Sequence, residues 1–364
     1  MSSNSSVALE IVQFQLASQY LSIVLGLILF VGGIVGNLMN IFTFSMLGNW
    51  KYNASSLYLL VKSIFDLCNM FFGLLTPLLS NGFKIDWTIK NQIWCKVRFS
   101  VGMMTFLCSL TFICFQSIDI YLCSSPSIRL REKSNVKLAR SLILVCLFVW
   151  MSHMIPILIF HNIIQRGTTM VCAGSNTIYN QYITYFISIC LYTIIPIVII
   201  CLFGYLAYRN IHRSNEHNRR LVSVILRQMM SMAFIQICSL FLFQIPLGIV
   251  LVYNIVTTTV NKDSYRQAQE QFVRTFAVLF TFGTTAVNHR DISSVFCFIV
   301  VLESILLVLF GIKKISSRSC RLFKKMFLIT RTYSSNINVK VICCLFCYCI
   351  VSTFCHLIFN YLQS

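Results

Sequence analysis

Few side chains in this sequence could do chemistry, and they are sparse enough to weigh singly. Asp66 and Lys62 lie four residues apart in one apolar run, and Asn37 lies in the run before it. A carboxylate or an amide in an apolar interior is costly unless it meets another polar group, water or an ion. Asn37 and Asp66 can therefore share a polar core, or Asp66 can pair with Lys62 one helical turn back. Asp119 closes a later run and is followed by Ile120 and Tyr121. His153 and His161 flank Pro156 in apolar surroundings, a pattern of structural histidines rather than of a metal pair.

The arrangements that support catalysis are missing. There is no His-Glu-x-x-His zinc pair, no Gly-x-Ser-x-Gly elbow and no phosphate-binding Gly-Lys loop. Cys343, Cys344, Cys347 and Cys349 resemble a metal cluster only by count, because their run is uncharged and apolar, where four thiolates would have to persist in lipid. Buried or acylated thiols fit better. No enzyme activity, cofactor or metal is expected.

The elements that would position these residues are membrane helices. Of 364 residues, 57% are hydrophobic and 11% charged, too little polar surface for a soluble domain. A crossing helix needs about 20 mostly apolar residues. Runs at 20–47, 55–80, 99–123, 141–160, 181–208 and 228–255 meet or approach that length. A seventh crossing belongs within 272–312, either as 272–288 or as 292–312. The first run is too long for a cleavable signal core and lacks a basic start, so it is expected to remain as an anchor.

The net charge of +19 reads as topology rather than as a nucleic-acid surface, since the Lys and Arg residues sit between apolar runs. Basic residues crowd 124–140, 209–227 and 313–340, which should be cytoplasmic. The loops 161–180 and 256–271 are poor in net positive charge and fall on the other side. That arrangement places the N-terminus outside, in agreement with the Asn4-Ser5-Ser6 acceptor pattern, although Asn53-Ala54-Ser55 repeats it in an inner loop.

Several spacings converge on one family. Gly36-Asn37 stands in the first span and Asp66 in the second, and 24 residues separate Cys95 from Asp119-Ile120-Tyr121. Trp150 and Pro156 follow in the fourth span, Pro196 in the fifth and Pro246 in the sixth. In this the sequence resembles the rhodopsin-like (class A) G-protein-coupled receptors over roughly residues 20–288.

The resemblance implies an all-α membrane protein, a seven-transmembrane helix bundle, here with an extra C-terminal apolar segment. It implies a disulfide from Cys95 to Cys172 in the next exterior loop, and a sodium and water site around Asp66. Pro196 and Pro246 would kink their helices, either statically or as a weak point about which the sixth helix swings. The implied partners are an extracellular ligand, a heterotrimeric G protein and the lipid bilayer of the plasma membrane, crossed several times. Gly102 stands where amine receptors carry an aspartate, so a peptide-like or chemosensory ligand is expected instead.

Three departures accompany these matches. Ile120 replaces the arginine of the family's Asp-Arg-Tyr motif, which leaves Asp119 without its neighbour and puts the usual G-protein contact in question. Gln244 replaces the tryptophan two residues before Pro246. After Asn288 no Asn-Pro-x-x-Tyr follows. The expected organisation is an exterior tail 1–19, a receptor domain 20–288, a divergent segment 289–340 with a basic cytoplasmic stretch, and an apolar Cys-rich segment 341–364 able to form a further helix. A decoy-like homologue without signalling is the first alternative function. A transporter or channel is the second, although ionisable residues do not converge along any path.

Overall fold

The computed structural model describes residues 2–166, 169–213, 224–257 and 260–286, all within one compact unit, Met1–Arg290. The expectations placed beyond it, namely the alternative crossing 292–312, the basic stretch up to 340 and the apolar segment 341–364, lie outside the described residues.

Among the described residues seven long helices follow one another: α1 (Ser2–Leu47), α2 (Ala54–Gly82), α3 (Gln92–Ser124), α4 (Val136–Phe160), α5 (Thr177–Ile211), α6 (Val224–Val256) and α7 (Ser264–Thr281). A further turn, Gly283–Ala286, continues α7. Their starts are set by capping. The side-chain oxygens of Asn53, Asn91, Asn135 and Asn176 accept from the backbone N–H groups of Ser55 (3.0 Å), Ile93 (2.9 Å), Leu138 (2.7 Å) and Ile178 (2.8 Å), opening α2 to α5. Asp263 does the same for Arg266 at the head of α7 (3.4 Å). Each cap satisfies a donor that the helix cannot, an effect of about 1 kcal/mol. Asn53 of the second acceptor pattern thus has a structural task.

The six helices α1 to α6 are long and apolar enough to cross a membrane by length and composition. Helix α7 is not among them because its first turns carry Arg266, Gln267 and Glu270. Farther along, Gln269, Thr275 and Thr281 turn inward and are buried. The helix therefore begins eight residues before the apolar run at 272, and part of the segment 256–271, read as an exterior loop, is helical. At the N-terminus, too, the helix outruns the apolar run, starting at Ser2. Phe14 of these added turns meets Tyr265 and Phe272 of α7, with ring centroids 5.7 and 6.2 Å apart.

Helix α3 is the central column. Two thirds (67%) of its apolar window is buried, against 22% in α4 and 17% in α5. The latter two turn Leu144, Phe148, Met151, Val198 and Leu202 outward, where acyl chains are the natural solvent. Phe112 of α3 is fully buried against Phe65 of α2, and Trp150 of α4 donates its indole N–H to Thr111 Oγ1 of α3 (3.1 Å). A polar tether of this kind is what holds helices together where lipid and side chain are equally apolar.

The prolines act differently from one another. Pro196 lacks an N–H and its ring crowds the carbonyl four residues back. The preceding stretch Tyr182–Ile194 accordingly winds as a π-helix, with Ser188 and Thr193 hydroxyls donating to the carbonyls of Ile183 (3.0 Å) and Ser188 (3.2 Å), five residues earlier. Helix α6 continues through Pro246. Pro156 falls at the restart of α4 after Met154.

Candidate functional site

At mid-bundle, Asp66 and Lys62 are both almost completely buried, with 1% and 2% of their surface exposed. Lys62 Nζ donates to Asp66 Oδ2, and the Ser109 hydroxyl of α3 donates to Asp66 Oδ1. Asn37 spends its amide elsewhere, donating to Gly33 O (2.8 Å) and to Thr285 O at the end of α7 (2.9 Å). Of the two arrangements open to Asp66, the structure has the pair with Lys62, and there are two separate ties, α2 to α3 through Asp66 and α1 to α7 through Asn37. The reason is reach: a lysine one turn away satisfies the carboxylate within its own helix.

The sodium ion that the resemblance places at Asp66 does not fit these residues. One carboxylate oxygen faces an ammonium and the other a hydroxyl donor, while the Asn37 amide is directed to backbone carbonyls.

Gln244 is fully buried in α6, and neither its amide nitrogen nor its oxygen has a hydrogen-bond partner. Beside it, Phe243 packs edge-on against Phe280 of α7 (4.8 Å), which stacks on Phe276 (5.4 Å). Gly283 lets this happen, since a Cβ there would come within 2.4 Å of the Phe243 ring. Gly102 closes another approach: a Cβ at that position would rest 3.6 Å from the backbone of Gly73 on α2.

At one end of the bundle, Asp119 accepts from Ser55 on Oδ2 and from Ser134 on Oδ1. Two hydroxyls therefore hold the carboxylate that the sequence left without a partner. Ile120 points away from it, 1% exposed, against Ala207 of α5 and Tyr121. Arg129, Arg131, Lys133, Lys137 and Arg140 are all exposed at this end.

At the opposite end, strands β1 (His161–Arg166) and β2 (Thr169–Gly174) pair antiparallel, with Ile163 opposite Cys172. Cys172 is bonded to Cys95 of α3, as the resemblance implied. Gln92 adds a second clasp, donating to Asn162 Oδ1 (2.6 Å) and accepting from Ile163 N (3.0 Å). His161 stacks on Phe99 with centroids 3.9 Å apart. Burial, and next the Arg98 guanidinium, push its imidazole down to about 4.

Also at the hairpin end, a cavity of about 730 Å³ lies between α1, the end of α2 and the start of α7. Gln15, Gln19, Asn81, Gln267 and Gln271 contribute amides, Phe14 and Phe272 aromatic faces, and Lys84 the cation. No carboxylate lines it. Lys84 has the left-handed backbone conformation (φ 59°) just past α2, where glycine is the easier residue. The amides come from three segments far apart in the chain, so no local sequence pattern points to them.

Among the described residues no group of three or more His, Cys, Asp or Glu side chains could hold a metal ion. A family model described as 7 transmembrane receptor (rhodopsin family) matches residues 36–288, more than half of the chain. No curated protein matches it. Receptors rather than enzymes make up that family. With the central α3, the Cys95–Cys172 bridge and this match agreeing, the chain belongs to the rhodopsin family of seven-transmembrane receptors.

Proposed function

We propose that the chain is a plasma-membrane receptor with its N-terminus outside, which takes a peptide-like ligand carrying an acidic group at the hairpin end and signals to a heterotrimeric G protein at the Asp119 end. The observation that carries the ligand class is the cavity between α1, α2 and α7. Its volume suits a small ligand. Amides that both donate and accept match peptide groups, aromatic faces match apolar side chains, and Lys84 in a carboxylate-free lining matches one negative charge.

The orientation is supported by the five exposed cations of 129–140, which suit an anionic cytoplasmic leaflet. Ligand binding would shift the population toward a state open at the Asp119 end. For coupling, the basic loops 124–140 and 209–227 are the contact surfaces, because Ile120 is buried and offers the partner nothing.

Pools of acidic and neutral short peptides, applied to cells expressing the full chain, test this with a second-messenger readout. Lys84→Gly should preserve surface expression, since glycine suits that backbone, and should abolish responses to the acidic pool. Equal responses in parent and variant would overturn the ligand site.

A second reading, binding without signalling, is favoured by one observation: Asp119 is tied down by two serines while Ile120 plugs the space beside α5. Labelled peptide bound at the surface with a silent second-messenger readout is the result that selects it.

A further inference from the structure

We propose that Lys62 is a tethered cation that permanently occupies the carboxylate site of Asp66, so that this receptor neither binds nor responds to sodium ions there. The inference is independent of the ligand and coupling readings above.

The ammonium and the carboxylate share one helix face, four residues apart, and both are sealed from solvent. A monovalent cation of the same charge as sodium is thus delivered by the chain itself and cannot be diluted away. For sodium to enter, Lys62 would have to leave Asp66 and remain buried without a partner, which costs several kcal/mol. Both cannot stay, because two unit positive charges a few ångströms apart repel strongly in a low dielectric.

A soluble cation can shift a receptor between states only through different affinities for them. A tethered one has no concentration dependence. The pair instead joins α2 to α3 through Ser109 in whatever state keeps those helices together.

Thermal unfolding of the purified full chain in sodium chloride or choline chloride at equal ionic strength tests the proposal without any ligand. The parent should unfold at one temperature in both salts. Lys62→Met removes the charge and keeps the stem, and should gain a saturable, sodium-specific rise in Tm of about 2–4 °C. Adding Asp66→Asn to that variant should erase the gain. Saturable stabilisation of the parent by sodium over choline overturns the proposal, as does a folded Lys62→Met protein indifferent to sodium. Lys62→Gln is the second variant should Lys62→Met fail to fold, with the same outcomes.

Discussion

Ile120 of α3 rests against Ala207 of α5, and both are sealed from solvent, at 1% and 0% exposure. The motif position that carries an arginine in related receptors is an apolar contact between two helices in this one. Reverting it is therefore a burial problem before it is a signalling experiment. Ile120→Arg should lower thermal stability by about 2–4 kcal/mol, since the guanidinium enters an apolar contact while Asp119 is engaged by Ser55 and Ser134. Adding Ser55→Ala and Ser134→Ala releases the carboxylate, so the triple variant should recover part of the loss. Additive losses across this cycle, measured by thermal unfolding, would show that Asp119 cannot reach residue 120.

Gln244 makes the opposite prediction. A buried amide with no partner on either atom costs about 1–3 kcal/mol relative to an apolar side chain of similar volume. Gln244→Leu should therefore raise Tm. The gain also bears on function: a state in which helix α6 moves and the amide finds a partner is favoured over one in which it does not, so the same variant should lower ligand-independent signalling. A fall in Tm would mean that the amide is satisfied in the folded protein.

These two positions show what the sequence could and could not carry. The substitutions at 120 and 244 were visible from their distance to Asp119 and Pro246, but their surroundings come from α5 and α7, which no local pattern encodes. The disulfide was legible through the family resemblance, which pairs Cys95 with the cysteine of the next exterior loop. The onset of α7 was not, because a hydropathy reading discounts turns whose inward face is Gln269 and Thr275. The Asp263 cap was the available signal. The hairpin 161–174 went unread between two helices, although its β-branched residues Ile163, Ile164, Thr169 and Val171 hinted at strands. The Lys62–Asp66 pair was legible as a four-residue spacing, whereas Ser109 as its third member required the fold.

His161 should make the hairpin end sensitive to acid. Its imidazole is held down to about 4, first by burial and then by Arg98, while an unfolded histidine titrates near about 6.5. The unfolded state therefore binds more protons between those values, and stability rises with pH across that window. The contribution is fully present above about 6.5 and is lost as pH falls toward 4, by up to about 3 kcal/mol. Thermal unfolding from pH 8 down to pH 4 should show this decline, and His161→Phe, which keeps the stack on Phe99, should flatten it. An identical pH profile in the variant would assign the decline to another group.

Glu270 supplies the last prediction, because it gathers the ends of α6 and α7 around one carboxylate. Lys262 Nζ meets Oε2 (2.6 Å), and Arg266 Nε (3.3 Å) and the Tyr253 hydroxyl (3.0 Å) meet Oε1. Arg266 Nη2 also donates to the Tyr253 oxygen (2.7 Å), and Lys262 reaches Thr257 Oγ1 (2.8 Å). Tyr253 thus passes a hydrogen bond from the cation to the anion, and each link orients the next. Glu270→Gln keeps the shape and removes the charge that holds both cations. It should speed amide exchange over 253–270 and lower Tm, and the loss should shrink at high salt, where the parent pairs are already weakened. Tyr253→Phe in the same background should add less than it does alone, because the acceptor left to its hydroxyl is a neutral amide oxygen rather than a carboxylate. Strict additivity would mean that the tyrosine and the carboxylate act separately. If they act together, the ends of α6 and α7 move as one piece, and any swing of α6 must be taken up below Val250, in the turns around Pro246.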